Sequence, residues 1–348
     1  MLAPMKALVK YAPGEGNLDI LDVPEPECGD SHVKVEVAFC GVCGTDLHVM
    51  HDSFRNYPPV ILGHEIAGTV VETGRNITGV PIGTRVTILG ATAVTCGQCR
   101  YCKAGNFILC ARRRGMGHGV NGGFTRYIVV RPDQLYRVPD NFSLDEAAMS
   151  EPFAAAVQAV TEVTRVRLGD VALVSGPGPI GLLCLKLLVA EGVKTIVAGA
   201  ASDDARLAAA REIGAAVAVN TSETDLAEVI RAETDGEGVD AALECAGHHS
   251  SVRACLEALR PLGRYTQVAI CGREVQMPID RIIFKQLTVM GSMCYTAQTW
   301  DSMMKIYQQG RLRLNDLIST RLPITEWRTG FDLCAAKGAL KVLLHPVA

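Results

Sequence analysis

Cys96, Cys99, Cys102 and Cys110 fall in the run TCGQCRYCKAGNFILC with C-x2-C-x2-C-x7-C spacing, and no other stretch restricts the fold as tightly. Short loops that gather four thiolates make a closed tetrahedral shell, the coordination that Zn2+ accepts from soft sulfur ligands. A shell filled by four protein ligands leaves no position for a substrate, so this site is expected to be structural. A disulfide cluster is the alternative. It suits poorly a start, MLAPMKALVK, that lacks the apolar run of a secretory signal. The chemistry must come from other residues.

At 348 residues the chain is long for one domain and is expected to form two, each with its own core. A hydrophobic content of 48% excludes a disordered chain. A net charge of −3 gives no electrostatic reason to expect nucleic acid or an anionic membrane as partner. The run Arg112 to Arg114 is the one basic cluster of note and reads as a solvated loop face. The most apolar stretch, Val171 to Ala200, is interrupted by Gly176, Pro177, Gly178, Pro179 and Lys186, which argues against a membrane span. The cysteines outside the cluster are scattered, as free thiols in a cytoplasmic protein would be.

The texture of the chain changes near residue 150. Before it, short apolar runs such as Ala67 to Val71, Arg85 to Leu89 and Tyr127 to Val130 lie between Gly, Pro and Asn turns, a pattern for an irregular, mostly β domain. From about residue 168, apolar strand, turn and amphipathic helix alternate. Strands are expected at Val171 to Val174, Thr195 to Ala198, Ala216 to Val219, Asp240 to Glu244, Gly263 to Ile270 and Leu287 to Met290. Helices are expected at Asp203 to Ile213 and Asp225 to Glu233. This alternation predicts an α/β doubly wound parallel sheet.

At the head of that second region, VALVSGPGPIGLLCLKLL sets Gly176, Gly178 and Gly181 in G-x-G-x-x-G register. A strand before and a helix after let the turn offer free N–H groups and a helix N-terminus to a pyrophosphate, with Pro179 and Ile180 inside the turn. An acid that would hold the ribose of NAD is expected about 20 residues on. The neighbourhood is Ala198-Gly199-Ala200-Ala201-Ser202-Asp203-Asp204, where the acids come late. Ser202 and Arg206 could take a 2′-phosphate, or Asp203 could reach back, or both aspartates could cap a helix. NAD and NADP stay open.

The first region holds Cys40-Gly-Val-Cys43-Gly-Thr45-Asp46-Leu-His48 and Gly63-His64-Glu65. Together they supply a thiolate, an imidazole and a carboxylate, and catalytic zinc usually takes three protein ligands. Singly, Cys43 reads as a buried thiol, His64 as a core histidine and Glu65 as a surface charge. A structural zinc site beside a dinucleotide turn favours the joint reading.

With these motifs in order from Met5 to Val347, the chain resembles the zinc-dependent medium-chain dehydrogenases of the alcohol, polyol and threonine dehydrogenase group. The resemblance implies a GroES-like, mostly β catalytic domain at residues 1–150 and 292–348, with a Rossmann domain at 151–291 inserted and the active site in the cleft they form. It implies two Zn2+ per chain. Cys43, His64 and either Glu65 or Glu151 of Ser150-Glu151-Pro152 would hold the catalytic one, and Asp46 would orient His64. Thr45 would meet the substrate oxygen and His48 would end a proton relay. Val268 and Ile270 are expected at the cofactor.

The implied activity is hydride transfer between a secondary alcohol or polyol and NAD(P), giving the ketone. Threonine 3-dehydrogenase is an alternative, and a catalytically silent dinucleotide-binding relative is another. Sorbitol dehydrogenases carry an Arg-Tyr pair after the last Rossmann strand. Here Gly291-Ser-Met-Cys294-Tyr295 keeps the tyrosine and lacks the arginine, which weakens sorbitol as the substrate. Phe54, His51 and Tyr295 are candidate pocket residues. The resemblance also implies a homotetramer or homodimer joined through Leu287 to Met290.

Overall fold

The computed structural model describes residues 4–347. The chain divides into two compact units, one built from residues up to Glu151 and again from Thr296, the other from Pro152–Tyr295.

The first unit begins with β1 (Pro4–Lys10) and β2 (Leu18–Pro24), paired antiparallel. β3 (Val33–Gly41), β4 (Val60–Ile61), β5 (Glu65–Thr73), β6 (Arg85–Ile88), β7 (Tyr127–Val130) and β8 (Leu135–Arg137) follow. In β7 the side chains alternate between half-buried and buried, the period expected of a strand with one face on a core. A small sheet runs β2-β1-β4. In the larger one β3 is central, pairing antiparallel with both β5 and β7. Val33, Val35, Ile66, Val70, Val86 and Ile128 point from these strands into one shared core.

The second unit contains β9 (Val171–Ser175), β10 (Lys194–Gly199), β11 (Val217–Asn220), β12 (Val239–Glu244), β13 (Leu259–Gln267) and β14 (Thr288–Gly291). All pair in parallel, in the order β11-β10-β9-β12-β13-β14. This is the doubly wound order whose ligands bind at the carboxyl ends of the strands, where the chain switches direction from β9. Residues 172–174 and 241–243 are buried on both faces, as helix-covered parallel strands must be. Asp225 begins the helix Leu226–Glu233, its carboxylate accepting from Ala227 N at 2.9 Å.

One expected strand differs. Gly263 to Ile270 is in fact Leu259–Gln267: a bulge against β12 absorbs Pro261 and Leu262, and the chain leaves the sheet at Val268. The chain then returns to the first unit with β15 (Ile318–Pro323) and β16 (Lys341–His345), and β16 pairs with β3 at Cys40 and Gly41.

Candidate metal centres and dinucleotide turn

The four cysteines of the cluster bring their sulfurs within 4.8 Å of one another, and all are free thiols. Backbone N–H groups of Cys99, Cys102 and Cys96 donate to the sulfurs of Cys96, Cys99 and Cys110, each at 3.4 Å. Donors from Gln98 and Cys99 lower the Cys96 pKa to about 6, whereas desolvation and neighbouring thiols push Cys102 up to about 11. The Cys96 sulfur is thus poised as a thiolate while Cys102 resists a second negative charge. A tetrahedral dication relieves that conflict, so the donor set fits zinc.

The second centre grows from the helix Gly44–Met50 and the end of the turn into β5. Cys43 stands immediately before the helix, and its N–H donates to Asp46 Oδ2 at 2.9 Å. Gly63 has φ +90°, and a Cβ there would lie 2.7 Å from Cys40 Sγ and 2.8 Å from the Phe124 ring. Only glycine allows that approach, which delivers His64 to the site. Cys43, His64 and Glu65 each bring a ligand atom within 4.8 Å of the others.

Asp46 is buried and faces His64 Nδ1 at 3.6 Å. That Nδ1 is buried and makes no hydrogen bond. Burial opposes charge on His64, but Asp46 and Cys43 outweigh it and raise its pKa well above the ordinary value. A ring so strongly drawn to positive charge, beside a thiol and a carboxylate, fits a metal cation.

Glu65 is no surface charge. It is fully buried, and Lys341 Nζ donates to its two oxygens at 2.7 and 2.6 Å. Glu151, in the first turn of the helix Ser150–Val157, stands outside the group of three, though its charge helps burial to raise the Glu65 pKa. Thr45 Oγ1 lies 3.8 Å from Cys43 Sγ. His48 is exposed, with Nδ1 3.2 Å from Ser53 Oγ.

His51 departs from expectation: it is exposed and paired with Glu15 at 3.0 Å. Phe54 packs on the core and meets the ring of His118 edge-on at 5.1 Å. Tyr295, the last residue of the second unit, is buried. The run Arg112 to Arg114 is likewise not a plain solvated face, because Arg113 donates to Ala91 O at 2.9 Å and Arg114 lies over the Tyr57 ring at 4.1 Å. Lys341, His118 and Arg55 escaped the sequence reading, since no motif marks them.

In the second unit Gly176, at φ +102°, would place a Cβ 2.6 Å from Ala246 N, and a Cβ at Gly181 would lie 2.0 Å from Gly176 O. Gly178 has open space around it, and the helix Pro179–Ala190 starts immediately after, with Pro179 and Ile180 in its first turn. The turn is therefore tight at its first and third glycines and open at the second, as a backbone cradle for phosphate requires. Past the end of β10, Asp203 stands immediately before the helix Asp204–Ile213 without a side-chain capping bond to it, and its carboxylate closes the short turn Ala201–Asp203 instead. It is buried, accepts from Ala200 N at 3.0 Å, and lies 4.0 Å from Arg206. Ser202 is exposed. Val268 is half-buried just past β13, and Ile270 is exposed.

Residues 29–140 match the family model described as alcohol dehydrogenase GroES-like domain, and residues 179–309 match the one described as zinc-binding dehydrogenase. The chain belongs to the zinc-dependent medium-chain dehydrogenase family. It is an oxidoreductase with a GroES-like unit and a Rossmann unit. It is 36% identical to a sorbitol dehydrogenase of Halalkalibacterium halodurans, over 99% of this chain and 100% of the relative. It is also 36% identical to a D-arabitol-phosphate dehydrogenase of Enterococcus avium, over 99% and 98%. An L-threonine 3-dehydrogenase of Pectobacterium carotovorum is more distant, at 34% over 98% and 99%. Among solved structures, a zinc-binding dehydrogenase of Sinorhizobium meliloti bound to NADP is 30% identical, with TM-score 0.89 over 99% of this chain and 100% of that one.

Proposed function

We propose that the chain oxidises a secondary alcohol or polyol to the ketone, with Cys43, His64 and Glu65 holding a catalytic zinc and Glu151 as the carboxylate that can exchange with Glu65. The observation that carries this reading is the convergence of thiol, imidazole and carboxylate within 4.8 Å beside the Thr45 hydroxyl. The cysteine cluster is the structural zinc site.

Bound zinc would supply Lewis acidity at the alcohol oxygen, and the dinucleotide would supply the hydride acceptor. The chain's own residues handle the proton. Thr45 Oγ1 accepts it from the substrate hydroxyl while releasing its own hydroxyl proton, and His48, three residues on along the same helix face, takes up that proton and passes it to solvent. Asp46 fixes the His64 ring, and Lys341 fixes the Glu65 carboxylate.

NADP is the better fit to the turn after β10. The nearest acid, Asp203, is folded back onto the Ala200 N–H, while the exposed Ser202 stands at the same turn and Arg206, paired with Asp203 at 4.0 Å, adds positive charge that favours a 2′-phosphate. The free thiols suit the cytoplasm. No helix among the described residues is long and apolar enough to cross a membrane. Strand β14 is a sheet edge, and near it Ile279, Ile283, Phe284, Val289 and Met293 are exposed, which supports a homotetramer, or a homodimer, joined there.

The deciding experiment is a panel of polyols, diols, secondary alcohols and threonine, assayed with the zinc-loaded protein and both cofactors. Ketone formation from a polyol with NADP is the expected result. Threonine as the only substrate would favour the amino-acid reading. Two zinc per chain and tight cofactor binding without any turnover would mark a silent relative. Light scattering of Phe284→Glu, expected to give a smaller species, tests the association.

A further inference from the structure

The loop 115–123 packs directly onto the turn that carries His64. A Cβ at Gly117 would lie 3.0 Å from the backbone of Gly63, and one at Gly122 would lie 1.9 Å from Gly63 O. His118 in this loop ties it to the segment after the helix of Thr45 and His48: its ring stands edge-on to Phe54, and its carbonyl accepts from Tyr57 N at 2.9 Å. The metal-bearing turn, the His118 loop and residues 54–57 thus form one continuous wall of the first unit.

Two arginines converge on that wall. Arg114 lies over the Tyr57 ring at 4.1 Å and Arg55 over the same ring at 5.1 Å. The Arg114 backbone is pinned by two hydrogen bonds with Val94, each at 3.0 Å. Both guanidinium-bearing residues are exposed, and among the described residues neither has a carboxylate within ion-pair distance. The nearest acid in sequence, Asp52, is already occupied by Gly14 N at 2.8 Å and Asn56 Nδ2 at 2.7 Å. Stacking on an aromatic face holds a guanidinium by its plane and leaves its in-plane N–H forks directed outward. Two like charges on one ring repel, and an anion bridging them reverses that cost.

We propose that Arg55 and Arg114, posed on Tyr57 beside His118, seat an anionic group of the substrate, and that the substrate is a phosphate monoester of a polyol. The inference rests on the dehydrogenase reading above and specifies its substrate class. A carboxylate is satisfied by one arginine fork, whereas a phosphate monoester carries up to two charges and three acceptor oxygens, enough for two forks. Binding the far end of the substrate also orients the reacting carbon at the metal centre.

The test compares matched pairs, a pentitol or hexitol and its terminal phosphate, together with an aldonate and threonine, on the zinc-loaded enzyme with NADP. The phosphate should have the higher kcat/KM, and Arg55→Gln or Arg114→Gln should cut the phosphate-to-neutral preference about tenfold, mainly through KM. Arg→Lys at either position should restore part of it. Independently of turnover, inorganic phosphate should raise the melting temperature of the wild type more than that of either variant. Equal or better turnover of the neutral polyol overturns the inference while leaving the dehydrogenase reading intact, as does a preference for the aldonate or threonine. If no alcohol is oxidised, the dehydrogenase reading fails, and an identical phosphate response in wild type and variants then overturns the anion seat as well.

Discussion

Lys341 Nζ lies 2.6 Å from one oxygen of Glu65 and 2.7 Å from the other, with the lysine 3% and the glutamate 0% exposed. The pair joins the last strand to the first residue of β5, and Lys341 also donates to Val42 O at 3.1 Å. Burial lowers the Lys341 pKa, but Glu65 and Cys43 raise it by more, so it stays charged. Lys341→Met removes the counter-charge of a buried carboxylate and should destabilise zinc-free protein by about 3–5 kcal/mol. In zinc-loaded protein the loss should be smaller, because a dication at Cys43, His64 and Glu65 neutralises the same carboxylate. Urea unfolding with and without zinc checks both. Equal losses in the two forms would show that Lys341 serves packing alone.

The dinucleotide turn gives two opposed outcomes from the same substitution. Gly181→Ala would put a methyl 2.0 Å from Gly176 O, so the helix must shift and the second unit should lose stability, by about 1–3 kcal/mol. Gly178→Ala meets nothing in the chain and should melt near the wild type. Its methyl fills the space offered to the pyrophosphate, so NADPH binding, followed by fluorescence, should weaken about tenfold or more. Wild-type cofactor affinity in Gly178→Ala would remove the turn from the cofactor site.

The two cysteine groups should separate by function. Cys43→Ser removes a ligand beside Thr45 and should abolish turnover while one zinc per chain remains bound. Cys99→Ser breaks the closed shell, along with the sulfur that accepts from Cys102 N, and should act mainly on stability. Metal content, melting temperature and kcat measured on both variants decide the assignment. Full activity in Cys43→Ser would refute the ligand set.

Much of this was legible in the sequence because it is local. The strands of the second unit are apolar runs bounded by turns, and the four cysteines, Cys43 with Thr45 and His64 with Glu65 are close neighbours. What escaped depends on distant partners. The Lys341–Glu65 pair spans 276 residues, and neither residue's sequence surroundings announce it. The arginine run 112–114 looked like a solvated face because Tyr57, which holds Arg114, lies in another loop. The strand expected from Gly263 begins earlier, at Leu259, because a bulge against β12 accommodates Pro261 and Leu262 within it.

His118 gives the protein a pH signature. Burial, then the positive neighbours His64 and Arg113, lower its pKa to about 4, against the weaker pull of Asp46 and the Arg55 backbone. An unfolded histidine titrates near 6.5, so between these values the unfolded chain binds the proton and the folded chain does not. This contribution is therefore fully present above about pH 6.5 and is lost as pH falls towards 4, by at most about 3 kcal/mol. Zinc release adds its own acid dependence, so the informative quantity is the difference between wild type and His118→Asn. That variant should be less stable than the wild type at pH 7, and the gap should narrow as pH approaches 4, in urea midpoints measured on zinc-loaded protein. A gap independent of pH would mean that His118 takes up its proton at the same pH in the fold as in the unfolded chain, and that the wall beside Phe54 is wetter than its packing implies.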